Sequence, residues 1–155
     1  MPTSDHFAAA RTIRAFVRAG ARAFRAARLH FGHGTDNAQD EAYWLVIAAL
    51  DLPYALPEER LDAPLSDAQR RRVTQLLRAR IRARRPAAYL TGRIWFAGLE
   101  FEVTPDVLVP RSPTAELVEA RFRPWLRRAP RRILDLCTGS GCIGIACAYA
   151  FPRAR

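Results

Sequence analysis

The stretch Arg132-Ile133-Leu134-Asp135-Leu136-Cys137-Thr138-Gly139-Ser140-Gly141-Cys142-Ile143-Gly144-Ile145-Ala146 joins a short apolar run to a glycine turn and then to a helix-like pattern. An apolar run bounded by turn chemistry predicts a buried strand of a parallel sheet. Glycines follow where a backbone must turn tightly and come close to a ligand. The stretch therefore predicts a strand, a cofactor-type loop and the first turns of a helix, and with them an α/β fold. It lies late in a chain of 155 residues. That length holds one ordinary domain, or a small domain and part of another.

The segments before it are helical in pattern. From Asp5 to about Leu29, Ile13, Val17, Gly20 and Phe24 share one face, and Arg11, Arg14, Arg18, Arg22 and Arg25 share the opposite one. An Arg-rich amphipathic start also suits a mitochondrial transit peptide, but Ser is scarce and the apolar face favours packing in a helical domain. His30-Phe31-Gly32-His33-Gly34-Thr35-Asp36-Asn37 reads as a loop entering a second helix, about Ala38 to Leu50, with Thr35, Asp36 and Asn37 as cap-type residues. Pro53 to Pro64 is expected to be loop. Ser66 and Gln69 form a capping box that opens a third helix, with Val73, Leu76, Leu77 and Ile81 as its apolar stripe and arginines, Arg80 among them, on its other sides. Such helices make a small bundle.

The pattern changes at Pro86. Arg93–Phe96, Ala97-Gly98 and Leu99–Val103 predict a two-stranded hairpin whose second strand turns Glu100 and Glu102 to water. Val107–Pro110 reads as a further extended piece, and Ser112-Pro113 as the start of a helix carrying Leu117, Val118 and Phe122.

Charge narrows the partners less than it first suggests. All 25 basic residues are Arg, and the net charge is +10. Arginine keeps its charge at any working pH and grips phosphate in a bidentate way, so RNA is the natural acidic partner for the Arg-rich faces. A GC-rich coding sequence accounts equally well for so much Ala and Arg. Three cysteines with no Cys-x-x-Cys pair predict free thiols in a reducing compartment and no metal site. The two histidines of the His30–Asn37 loop are explained by turn and cap chemistry without a metal. No apolar run approaches the roughly 18 residues of a membrane span. The expected location is cytoplasmic.

Gly139-Ser140-Gly141-Cys142-Ile143-Gly144 is literally a G-x-G-x-x-G, which by itself is weak evidence for a dinucleotide. Asp135 stands just before the turn, near the carboxyl end of the predicted strand. A carboxylate there disfavours an anionic pyrophosphate and suits a cationic ligand. S-adenosyl-L-methionine carries an ammonium and a sulfonium and no phosphate, so it fits better than NAD. A P-loop is excluded because no Gly-Lys-Ser/Thr follows.

At these residues the chain resembles a known family. Asp135-Leu136-Cys137-Thr138-Gly139-Ser140-Gly141-Cys142-Ile143 is similar to the first motif of class I methyltransferases of the HemK-like glutamine methyltransferase family. Ala88-Tyr89-Leu90-Thr91-Gly92, the hairpin and Val107-Leu108-Val109-Pro110-Arg111 match the segment preceding that motif. The resemblance is closest to the branch acting on a large-subunit ribosomal protein (protein three). Phe31–Asn37, Pro110-Arg111-Ser112-Pro113, and Gly141-Cys142-Ile143 running into Ala146-Cys147-Ala148-Tyr149-Ala150-Phe151 are features of that branch. The release-factor branch, the alternative, has Pro-Arg-Pro and a Gly where Cys137 stands.

The resemblance implies methylation of a glutamine side-chain amide with S-adenosyl-L-methionine as cofactor. It assigns Asp135, Cys137, Thr138, Gly139, Ser140 and Gly141 to the cofactor loop, with Asp135 facing the methionine ammonium, and puts Arg111 near the active site. A structural ion pair is the other reading of Arg111. The implied architecture is a helical substrate-recognition domain over residues 1–86, a hairpin linker over 87–111, and the beginning of a class I Rossmann-like methyltransferase domain over 112–155. The family's Asn-Pro-Pro-Tyr loop is absent, so no catalytic residue is assigned. The acidic residue expected about 20 positions past the glycines is absent too. The chain is expected to be the N-terminal part of a longer methyltransferase and inactive alone. The competing class is a non-catalytic basic module that binds RNA or the ribosome.

Overall fold

The computed structural model describes residues 6–155. The chain divides into two compact units, one up to Thr91 and the other Gly92–Arg155. Both helices and strands are present, so the protein is of mixed α and β structure.

The first unit is helical. Helix α1 spans Ile13–Ala26, and its N-cap Thr12 accepts the Ala15 N–H through its side chain. That start is later than the sequence pattern suggests, because Thr12 satisfies an orphan donor of the first turn and residues 7–9 form turns instead. Asp5, the expected start, lies outside the described residues. Helix α2, Ala38–Ala49, begins as expected at Asn37, whose side chain accepts from Gln39 and Asp40 N–H. It buries Ala42, Trp44, Leu45, Val46 and Ile47 around much of its girth, as a central helix must. A short helix α3, Glu58–Leu61, interrupts the stretch expected to be loop. Glu58 within it and its C-cap Asp62 meet Arg14, which donates to Glu58 at 2.6 Å and to Asp62 at 2.8 Å.

Helix α4, Asp67–Ala83, has the full Ser66/Gln69 capping box. Its C-cap, Arg84, donates to the carbonyls of Ala27 and Arg28, where α1 has ended. Those carbonyls would otherwise lack partners. A short helix α5, Ala87–Thr91, follows. Helix α2 packs against α1, α4 and α5. The closest approach is at Gly20 of α1, where a Cβ would stand 3.1 Å from the Ala42 Cβ and 3.4 Å from Leu77.

Two expectations for this unit need correction. Arg80, expected with the other arginines outside the apolar stripe, is not on the surface: Arg80 and Glu41 are buried, their side chains 3% and 1% exposed, and Arg80 Nε donates to Glu41 Oε1 at 2.6 Å. Of the expected apolar stripe Val73 and Leu77 are buried, and Leu76 and Ile81 are only half-buried. The remaining polar groups explain the burial. Arg80 Nη2 donates to the His30 carbonyl, and the Thr35 hydroxyl donates to Glu41 Oε2. One buried ion pair thus ties down both ends of the His30–Asn37 loop.

In the second unit β1, Arg93–Phe96, and β2, Leu99–Glu102, pair antiparallel with Phe96 opposite Leu99 and Arg93 opposite Glu102. Ala97 and Gly98 turn between them with positive φ of 47° and 74°. Helix α6 is Thr114–Glu119, and helix α7 is Cys142–Ala150. Phe96, Val118, Cys142, Ala146 and Cys147 form the buried cluster, flanked by Phe101, Phe122 and Ile133.

The buried strand expected ahead of the glycine turn is not formed. Leu134 and Leu136 are 80% and 73% exposed. A parallel strand is stabilised by neighbours alongside it and by covered faces. Among the described residues the neighbouring backbone is that of Arg155: Arg155 N–H donates to the Arg131 carbonyl at 3.0 Å, and Ile133 N–H donates to the Arg155 carbonyl at 2.8 Å. These two bonds bracket Arg132 in the slanted manner of a parallel ladder.

Candidate cofactor loop

The loop between Ile133 and α7 is built from three left-handed residues. Cys137, Gly139 and Gly141 have φ of +58°, +57° and +77°. The glycines adopt this region freely, whereas a side chain at Cys137 costs about 1–2 kcal/mol. Gly141 N–H donates to the Thr138 carbonyl at 2.9 Å, and the Thr138 hydroxyl donates to the Asp135 carbonyl at 3.1 Å. Gly141 is also the N-cap of α7, and no side chain caps the helix from that position.

Asp135 supplies what the N-cap does not. Its Oδ2 accepts the Gly144 N–H at 3.1 Å, inside the first turn of α7. A carboxylate there completes an orphan donor and complements the positive end of the helix. Absence of a side chain at Gly144 permits the approach, because a Cβ would lie 3.1 Å from the same oxygen. Oδ1 accepts no hydrogen bond from the described residues, so one edge of an oriented carboxylate is left open. Asp135 also acts on Cys147, whose thiol is pushed above the ordinary range by burial first and by the Asp135 charge second.

Asp135, Cys137, Thr138, Gly139, Ser140 and Gly141 thus lie in one continuous loop, with Cys137, Thr138 and Gly139 exposed. Arg111 is exposed and directly follows the buried Val109 and Pro110. Sequence reasoning missed Gly144 as the partner of Asp135. Its signal was the third glycine of the motif, which falls three residues into the helix. Among the described residues no three His, Cys, Asp or Glu side chains gather as a metal site. Among the same residues no helix is long and apolar enough to cross a membrane.

No family model matches the chain. Individual proteins do. It is 51% identical, over 92% of its length, to the ribosomal protein uL3 glutamine methyltransferase of Xanthomonas campestris pv. campestris, of which it covers 46%. The chain is a homologue of these glutamine methyltransferases. The Bordetella pertussis protein of the same name is 46% identical over 93% of the chain, which covers 49% of it. This methyltransferase homologue therefore spans about half the length of the curated relatives it matches. Both relatives are named for uL3, in keeping with the ribosomal-protein branch expected from Phe31–Asn37, Pro110–Pro113 and the stretch from Gly141 to Phe151.

Proposed function

We propose that this chain is part of an S-adenosyl-L-methionine-dependent enzyme that methylates the side-chain amide nitrogen of a glutamine in the large-subunit ribosomal protein uL3. The 51% identity to a protein of that name carries the reading. The loop supports it chemically. Its residues fit the cofactor: Asp135 offers an oriented carboxylate with an open oxygen to an ammonium, and Gly139 and Gly141 present bare backbone to an approaching ligand. Thr138, Ser140 and the Cys137 backbone line the same turn, and Arg111 is assigned to the neighbourhood of the active site. When bound, the cofactor supplies an electrophilic methyl group on a sulfonium. The protein's task is alignment, since an amide nitrogen is a poor nucleophile and must be held and relieved of its proton. No residue of this chain is assigned to that second task.

The architecture follows the same reading. Residues 1–86 form the helical substrate-recognition domain, residues 87–111 the hairpin linker, and residues 112–155 the opening strand and helix of a class I Rossmann-like sheet. The parallel hydrogen bonds of Arg155 to Arg131 and Ile133 support that assignment, because a strand–helix–strand crossover returns the chain in this way. The enzyme is placed in the cytoplasm, with RNA as the partner class for its arginine-only basic surface.

Two measurements test the proposal. Coding DNA read in frame past Arg155 is expected to encode Asn-Pro-Pro-Tyr, and an immediate stop codon would leave a non-catalytic module. Calorimetry on the 155-residue chain is expected to show no micromolar binding of S-adenosyl-L-methionine. The longer reading frame, by contrast, should transfer labelled methyl groups to unmethylated uL3 and not to a release factor. Labelling of the release factor alone would reassign the branch.

A further inference from the structure

The second unit holds a cleft that the methyltransferase reading leaves unused. Its volume is about 290 Å³, and Arg121, Arg123, Arg127, Arg128 and Arg153 line it. Apolar groups, Phe151 and Pro152 among them, complete the lining, and no acidic residue takes part. Among the described residues none of these five guanidiniums has an ion pair or a side-chain hydrogen bond. The first unit holds arginines of both kinds: Arg18, Arg22 and Arg25 of α1 are exposed, while others are engaged. There Arg14, Arg70, Arg80 and Arg84 are engaged by acids or carbonyls. From Arg121 to Arg155 there are eight arginines and one acid, Asp135, which faces α7.

The backbone that carries these arginines is tightly organised. Phe122 N–H donates to the Leu117 carbonyl at 2.6 Å, and Leu126 N–H donates to the Phe122 carbonyl at 2.9 Å. The Phe122 ring lies against Phe151, with centroids 6.3 Å apart. Arg121 and Phe122 both have positive φ, 51° and 54°, a conformation that side chains adopt only where surrounding structure enforces it. Converging like charges also repel one another unless a counter-charge joins them. A concave rim of unpaired guanidiniums offers a favourable place to an anion.

We propose that this cleft binds RNA, holding phosphates with the arginines and stacking a base on Trp125. Trp125 is not itself part of the lining, but it lies in the same segment, between the lining residues Arg123 and Leu126, and is 76% exposed. Arginine suits phosphate through its bidentate fork, and an exposed aromatic beside a cationic groove is the pattern of single-stranded nucleic-acid binding. An acidic peptide would use the charges but not the ring. The inference rests on the reading of RNA as a partner class and is independent of the methyl-transfer chemistry.

The test uses the 155-residue chain and a fluorescently labelled 16-nucleotide single-stranded RNA of mixed sequence, read by anisotropy between 50 and 200 mM KCl. The triple substitution Arg123→Gln, Arg127→Gln, Arg128→Gln is expected to weaken binding at least about tenfold and to reduce the log–log salt slope by about 2, at roughly 0.7 per phosphate contact. The control Arg18→Gln, Arg22→Gln, Arg25→Gln removes equal charge from exposed positions of α1 and is expected to change affinity less than about twofold. Trp125→Ala leaves the charge intact and is expected to weaken binding about five- to tenfold, which keeps the test valid if the triple variant misfolds. Equal losses from both triples, with no effect of Trp125→Ala, would reduce the binding to net charge and overturn the site. Absence of RNA binding by the unaltered chain would overturn the RNA reading itself. Binding of poly-glutamate in preference to RNA would reassign the cleft to an acidic protein.

Discussion

Asp135 and Gly144 are bonded across the glycine turn, with the carboxylate Oδ2 accepting the amide N–H at 3.1 Å. The bond fixes the carboxylate and completes the first turn of α7 at once. Asp135→Ala is expected to destabilise the second unit by about 1 kcal/mol, the usual size of a lost helix-terminal carboxylate bond. Hydrogen exchange checks it site by site: the Gly144 amide should exchange faster while the helical amides of α2 are unchanged. Gly144→Ala should disturb the same bond from the other side, because its Cβ would meet Oδ2 at 3.1 Å.

The Glu41–Arg80 pair predicts a strongly non-additive response. Breaking a buried pair strands a charge and typically costs about 3–5 kcal/mol, whereas replacing both partners by apolar groups of similar size is often close to neutral. Glu41→Met and Arg80→Met are therefore each expected to lower stability by that order in denaturant unfolding. The double variant should recover most of the loss. It should also loosen the His30–Asn37 loop, whose His30 carbonyl and Thr35 hydroxyl lose their partners.

Gly20 tests helix packing against helix propensity. Alanine normally gains about 1 kcal/mol over glycine inside a helix. At Gly20 the new methyl would press on the Ala42 Cβ at 3.1 Å, and that atom cannot move without its helix. Overpacking of this kind costs about 1–3 kcal/mol, so Gly20→Ala is expected to lower the midpoint of thermal unfolding.

The cysteines should react in a fixed order. Cys137 is exposed, while Cys142 and Cys147 are buried. Burial, then Asp135, raises the Cys147 thiol above its ordinary value. A raised folded value means that the folded state holds the proton longer than the unfolded one. The associated stability is therefore fully present below the unfolded thiol's value and is lost as pH rises through the folded one. Iodoacetamide at pH 8 is expected to modify Cys137 first, and raising the pH further should weaken the second unit and expose the other two thiols. Mass spectrometry of timed samples reads both effects.

What was legible in the sequence was mostly local. Asn37 at the start of α2, Ser66 and Gln69 at the start of α4, and the Ala97-Gly98 hairpin turn each depend on residues within four positions. The start of α1 was less legible, since the apolar period runs on through Phe7 and Ala10 while Thr12 ends the helix by capping it. Arg80 was placed outside the apolar stripe because it stands in sequence among other arginines. Its burial depends on Glu41, 39 residues away along the chain. The apolar run Ile133–Leu136 has the composition of a buried strand, but a strand is made by its neighbours.

The glycine turn, with Asp135 before it and a helix after it, was determined by the sequence alone, because backbone permissiveness and charge are properties of the residues themselves. Which of its groups meet was decided by the tertiary structure. The fold brings Asp135 to Gly144, leaves Leu134 and Leu136 in water, and lays Arg155 beside Arg132. Each of these depends on where distant backbone comes to rest, and no local propensity encodes that position.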